Sequence, residues 1–423
     1  MSKINFLHTE IGSAKDNQKS PVHNWYKFTA GFSHKFVDEI ISLEKLQSKK
    51  SAQIFDPFAG CGTTLVSSQK LGVNAVGNEG QEFMYDVIKA KLNWNIDDKS
   101  FNKHLNFIKS SNGTKTGKID FDVHPLLVSL YDKNVLKSLY LIKNSIEEIP
   151  SEKFRLFFKL ALSQTLHKVS IHPIAIPYIV RSKTLSNTKP VWTVFEDISN
   201  LMFSHAKDLR NRKITSKIYK HDSRKENAYI DDNQCNLCIT SPPYLNNLDY
   251  GEISKVHTHF FEITKDWSDI TKKVRKKLVT GATTHYAESD FDLDTFLEED
   301  FANQNQNIIR SLKSKSKSIK EAALEKSGKK SFDILMLLYF QDMHLVLKEI
   351  RRILKPNSKA YIILGDSAPY GVHVPTTDLL GKIALNTGFR NYKIHKIRSR
   401  GNKWKTLKHR HSLELTENLL VLQ

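Results

Sequence analysis

Short apolar runs, each followed by a turn and then an amphipathic stretch, recur along this chain. The runs at 52–55, 73–77, 237–240 and 360–364 are too short to be helices and too apolar to be loops, so they read as buried strands. A shorter run at Ile218-Tyr219 reads the same way. Between and after them, 342–354 carries apolar residues at Met343, Leu345, Val346, Leu347, Ile350, Ile353 and Leu354, a helical stripe that Lys355-Pro356-Asn357 stops. Residues 376–385 form a second such stripe with Gly388 beyond its end, and strand-like stretches at 392–397 and 419–422 close the chain. Strands alternating with helices predict an α/β fold with a mostly parallel, doubly wound sheet and ligands at the carboxyl ends of its strands.

Two segments interrupt that alternation. Residues 100–212 are helical in pattern, with apolar spacing at 126–149, at 154–169 after Pro150, and at 194–209. They form either a structural cover for the sheet or a target-reading subdomain. Residues 266–335 differ: Lys272-Lys273-Val274-Arg275-Lys276-Lys277 and the lysine- and serine-rich run 311–331 are too polar to build a core, and predict a solvated, partly flexible face. The chain therefore divides into 1–99, a helical insertion 100–212, 213–265, a basic insertion 266–335, and 336–423.

Two strand ends carry candidate chemistry. The run 237–240 exits into Ser241-Pro242-Pro243-Tyr244, where two prolines force the chain out of the sheet and stiffen a rim. There the Ser241 hydroxyl and the Pro242 carbonyl can accept hydrogen bonds from an exocyclic amine, and Tyr244 offers a flat face to a nucleobase. The run 52–55 leads into Asp56-Pro57-Phe58-Ala59-Gly60-Cys61-Gly62-Thr63-Thr64. Its glycines let a ligand lie against backbone, and a helix starts near Thr64. No third glycine completes the dinucleotide fingerprint, which sets an NAD enzyme aside.

The two motifs together resemble the S-adenosylmethionine-dependent DNA methyltransferases that modify exocyclic amines. That resemblance covers 20–95 and 215–265 well and 336–423 more loosely. It implies a Rossmann-like class I methyltransferase fold, with a seven-stranded sheet, an antiparallel last strand pair and a helical insertion. By the same resemblance the cofactor is S-adenosylmethionine, contacted by Asp56, Phe58, Gly60, Gly62 and Thr63 or Thr64. Glu79 would take the ribose hydroxyls, with Glu82 as the competing carboxylate, Asp222 would lie near the adenine ring, and Phe28 in the aromatic segment 23–41 would flank the cofactor. Ser241, Pro242, Pro243 and Tyr244 would be catalytic.

Serine at the head of that loop is more typical, within the family, of N4-cytosine enzymes than of N6-adenine enzymes. The expected reaction is therefore methylation of cytosine N4 in double-stranded DNA, within a restriction-modification system whose separate restriction endonuclease is a candidate partner. An adenine target, an RNA substrate, a modification subunit needing a specificity partner and a catalytically idle relative are the other readings.

Charge and composition narrow the rest. Lysine and arginine exceed the acidic residues by 64 to 45, a net charge of +19 that suits a polyanionic partner. Part of that excess is focused in Lys393, Lys396, Arg398, Arg400, Lys403, Lys405, Lys408 and Arg410, with Trp404 among them. Three cysteines give no disulfide framework, and Cys235-x-x-Cys238 has no second pair to make a zinc site, so no metal is expected. With no apolar signal core and no membrane-length run, the expectation is a cytoplasmic protein.

Overall fold

Strand side chains alternate between two faces, and here both faces are apolar, as a sheet covered by helices on both sides requires. The computed structural model describes residues 14–28, 30–114, 123–175, 178–186, 189–210, 216–246, 248–325, 330–400 and 413–423. Asn247 and the basic run from Lys403 to Arg410 lie outside them.

Seven strands form the central sheet: β1 (Gln53–Asp56), β2 (Asn74–Glu79), β3 (Lys217–Lys220), β4 (Cys235–Thr240), β5 (Leu354–Gly365), β6 (Tyr392–Arg400) and β7 (Leu415–Leu422). Their order is β3-β2-β1-β4-β5-β7-β6. The pairs β1 with β2, β2 with β3, β1 with β4 and β4 with β5 are parallel. β7 runs antiparallel to both β5 and β6. The expected mostly parallel sheet with an antiparallel final pair is therefore present. The order reverses between β1 and β4, which leaves a crevice at their carboxyl ends.

On one face, Ile54, Ala75, Leu237, Ile239, Tyr361, Ile363 and Leu419 meet Phe36, Val37, Ile40 and Ile41 of helix α1 (His34–Leu43) and Leu65 of α2 (Thr63–Lys70). The neighbouring residues Phe55, Val76, Cys238, Ile362, Leu364 and Leu420 point to the other face. A third helix, α3 (Glu82–Leu92), follows β2.

The 100–212 segment is helical as expected, with α4 (Asp98–Thr114), α5 (Lys133–Glu147), α6 (Glu152–Val169) and α7 (Val191–Lys207). It packs on the helices and segments that flank the sheet. Its apolar residues share one core with Trp25 and Tyr26 of the N-terminal segment, Phe83 and Val87 of α3, and Phe260 after the catalytic-type loop.

The polar run 311–331 departs from expectation. Through Ala323 it is part of an ordered helix, α8 (Gln306–Ala323), which buries Ile308, Ile309, Leu312 and Ile319 and turns its lysines outward. The four apolar side chains lie in the same core as those of the long helix α9 (Phe332–Ile353). Helix α9 ends at Ile353, directly before Lys355-Pro356-Asn357, but β5 begins there rather than at Ala360. Asn357 takes a positive φ of 62° and the pairing with β4 shifts register, so the proline-containing bend sits inside the strand as an irregularity. Helix α10 (Thr376–Asn386) precedes β6, and Gly388 beyond it is left-handed at φ +101°.

Candidate active site

β1 ends in Asp56, whose Oδ1 accepts from the Phe58 N–H (3.0 Å) and from the Thr240 hydroxyl at the end of β4 (2.6 Å). One carboxylate thus ties the glycine loop to the strand carrying the Ser-Pro-Pro-Tyr loop. Burial pushes it up to about 6. Gly60 and Gly62 are left-handed, at φ +55° and +83°, so glycine is required at both. A Cβ on Gly60 would stand 3.5 Å from the Phe28 ring, and one on Gly62 would stand 3.3 Å from Ile88. Lys91, itself buried, donates to the Cys61 carbonyl at 2.7 Å and holds the loop from beneath.

Glu79 is the last residue of β2. It accepts from the Gly60 N–H (3.0 Å) and the Gln81 N–H (2.8 Å), which aims its carboxylate across the crevice. Burial nevertheless pushes it up to about 7. Glu82, the competing carboxylate, is exposed and pairs with Lys220. Asp222, just past β3, is held by Arg224 through two hydrogen bonds of 2.9 and 2.7 Å. Arg224 also reaches Asp342 on α9 and the Lys276 carbonyl.

On the other side, Ser241 opens the loop after β4. The Tyr339 hydroxyl donates to the Pro243 carbonyl at 3.0 Å, which fixes the second proline and leaves the Pro242 carbonyl as the loop's other acceptor. Asp249 then caps the helical turn Tyr250–Ile253. Burial alone would raise its carboxyl, but His285 3.6 Å away and hydrogen bonds from Arg275 and Thr284 hold it well below the usual carboxylate range. Arg275 is fully buried, donates twice to Asp249 Oδ2 (2.9 and 2.7 Å) and lies 4.0 Å over the Trp267 ring.

The basic insertion is therefore part of the site. From Arg275 the chain crosses the crevice as a strap. A Cβ on Gly80 would come within 2.6 Å of the Lys277 carbonyl, so only glycine lets the two backbones pass. Thr280 then anchors the strap to Asp342 through its N–H and its hydroxyl, both at 2.8 Å.

These elements enclose a cavity of about 810 Å³, mouth included. That volume is within the range of small-molecule sites. Of the residues singled out from the sequence, Phe28, Phe58, Gly60, Glu79, Asp222, Ser241 and Pro243 line it. Asp56, Gly62, Thr63, Thr64, Pro242 and Tyr244 do not. Asp56 is buried under the loop, while Gly62 is the N-cap of α2 and Thr63 and Thr64 begin that helix. Thr64 donates to the Ile239 carbonyl (3.3 Å), so it braces β4. Tyr244 turns away to donate to Glu417 on β7 (3.0 Å). Sequence reasoning missed His221, Met84 and the strap pair Leu278 and Val279. The one signal for that pair was an apolar step at the end of a lysine run.

A family model described as DNA methylase, of the N6/N4 type, matches residues 8–90, the stretch that holds Phe28, the glycine loop and Glu79. The type II methyltransferase M.MvaI of Kocuria varians is 22% identical to this chain, over 94% of it and 87% of the relative. Along nearly its whole length the chain is similar to DNA methyltransferases, and its N-terminal part matches the amino-methyltransferase model. Two further relatives match it over a similar span. The type II methyltransferase M.BsoBI of Geobacillus stearothermophilus is 23% identical, over 93% of this chain and 84% of its own. M.AvaI of Nostoc sp. is 22% identical, over 92% and 83%. No helix among the described residues is long and apolar enough to cross a membrane. Among those residues no cluster of three His, Cys, Asp or Glu is placed to hold a metal ion, and Cys235 and Cys238 are buried as free thiols.

Proposed function

We propose that this methyltransferase modifies the N4 amine of a cytosine turned out of double-stranded DNA at a specific site, with S-adenosylmethionine as donor. The observation that carries the reading is the single cavity: Ser241 stands in the same enclosure as Glu79 and Gly60, so an amine held at one end lies beside a ligand held at the other.

The lining suits that donor. Glu79 offers a carboxylate for a vicinal diol, Asp222 an acceptor for an exocyclic amine, and Phe58, Leu278 and Val279 an apolar slot for a flat ring. Gly60 and Gly31 leave room where side chains would fill the cradle beside Phe28. When bound, the cofactor supplies an electrophilic methyl group on a sulfonium. The chain does the positioning. The amine of cytosine is a poor nucleophile because its lone pair is delocalised into the ring. Ser241 Oγ and the Pro242 carbonyl, by accepting its two hydrogens, favour the form whose lone pair faces the methyl group. No nucleophilic side chain is needed, so catalysis is orientation and charge placement. Because the amine is inside the duplex, the base must leave its stack to reach Ser241.

The family's relatives are type II methyltransferases by name, which supports a role as the modification half of a restriction-modification system with a separate endonuclease. The test is expression in a host free of amine methylation, followed by genomic sequencing that distinguishes the two marks. N4-methylcytosine at one recurring sequence is expected. N6-methyladenine would overturn the base, and an unmarked genome would overturn duplex DNA as the substrate of the chain alone. Calorimetry with S-adenosylmethionine tests the donor separately.

A further inference from the structure

Under the reading proposed above, Tyr244 is the ring that a turned-out base would stack on, and in the structure that ring is covered. The Arg400 guanidinium lies 5.0 Å from its centroid. The arrangement is built. Gly365, at the end of β5, has no Cβ to obstruct it: one placed there would fall 2.1 Å from Arg400 Nη1 and 3.3 Å from the Tyr244 ring. Glu417 tethers the tyrosine hydroxyl from the far side and also pairs with Arg398 at 2.6 Å. Among the described residues the contact of Arg400 is with the ring.

A guanidinium is planar and stacks on aromatic faces much as a nucleobase does, but it never loses its charge. An incoming base and Arg400 compete for one surface. Once displaced, the guanidinium stays within a side chain's length of the nucleotide that displaced it, and that nucleotide carries a phosphate. We propose that Arg400 is a substrate-binding residue of this methyltransferase: it fills the target seat on Tyr244 when DNA is absent, and passes to the phosphate of the everted nucleotide when the base takes the ring. The inference rests on the reading of the reaction given above. It adds the residue that guards the seat and the exchange by which the seat opens.

The test compares wild type, Arg400→Ala and Arg400→Lys on DNA from an unmethylated host, with steady-state rates across a salt series and cofactor affinity by calorimetry. Arg400→Ala should raise KM for DNA roughly tenfold and lower the slope of log KM against log salt by about one, the loss of one phosphate contact. Its affinity for S-adenosylmethionine should not change. Arg400→Lys, which keeps the charge and stacks less well, should keep the wild-type salt slope. Unchanged KM and slope in Arg400→Ala would overturn the proposal. So would a cofactor affinity that falls in step with DNA affinity in both variants, the mark of a merely structural residue. A wild-type enzyme that leaves DNA unmarked would overturn the reaction itself, and the proposal with it, while marks from the wild type leave the variants to decide.

Discussion

Glu79 is where a single residue makes the site respond to its solution. Its carboxyl is raised to about 7 by burial, and if it takes the cofactor's diol as proposed, it does so best when ionised, so affinity for S-adenosylmethionine should rise as pH rises through that value. At pH 6 about a tenth of the groups are ionised, and the cofactor Kd should be roughly tenfold weaker than at pH 8. Calorimetry at the two pH values measures it, and Glu79→Gln should bind weakly with no such dependence. That Glu79 belonged to the site was legible, because a carboxylate directly after a short apolar run is a local pattern. The glycines at 60 and 62 were legible for the same reason: a positive φ is a property of one residue. What Tyr244 does was not legible, since its partners Arg400 and Glu417 lie more than 150 residues away in sequence.

Elements were read well where periodicity was strong and poorly where charge diluted it. Helix α8 repeats apolar residues at Ile308, Ile309, Leu312 and Ile319, which is a helical face, but seven polar or small residues from 311 to 318 surround the one leucine and hide it. Ile319→Ala should cost about 2–4 kcal/mol and strip hydrogen-exchange protection from 306–323, whereas Lys317→Ala on the outer face should leave both unchanged. The strap is the clearer lesson. Read as solvent-facing charge, it depends instead on Arg275, whose side chain is wholly buried against Asp249 and Trp267. Arg275→Met would leave Asp249 without its main counter-charge in a largely enclosed place. A loss of about 3–5 kcal/mol in denaturant unfolding should follow, together with weaker cofactor binding, because Leu278 and Val279 hang from the same anchor. Full stability with unchanged cofactor binding would show that the strap is held from Asp342 alone.

At the scale of the whole molecule, the helical insertion shares a core with helix α3 and with the segment after the Ser-Pro-Pro-Tyr loop, and a pair of histidines marks the join. His167 on α6 and His257 after the catalytic-type loop meet at 3.0 Å through their Nε2 atoms, with Phe83 of α3 stacked on His257. Burial holds His167 down to about 4 and His257 well below its usual value. The unfolded chain therefore takes up protons first, so the pair's contribution is complete above pH 6.5 and is lost as pH falls towards 4. Glu79 and Asp56, raised in the folded chain, pull the opposite way in an overlapping range, so the measurement is a difference. The gap in unfolding free energy between wild type and His167→Gln should narrow from pH 7.5 to pH 5, by about 1 kcal/mol once the ring's partial exposure is allowed for. A gap that stays constant would mean that the two rings do not titrate on unfolding. Sheet order has one more consequence. β4 enters the sheet between β1, made early in synthesis, and β5, made some 115 residues after it. A chain still emerging from the ribosome lacks the Leu278 and Val279 wall of the cavity, and the partner on the open side of β4, until the strap and β5 have both been translated.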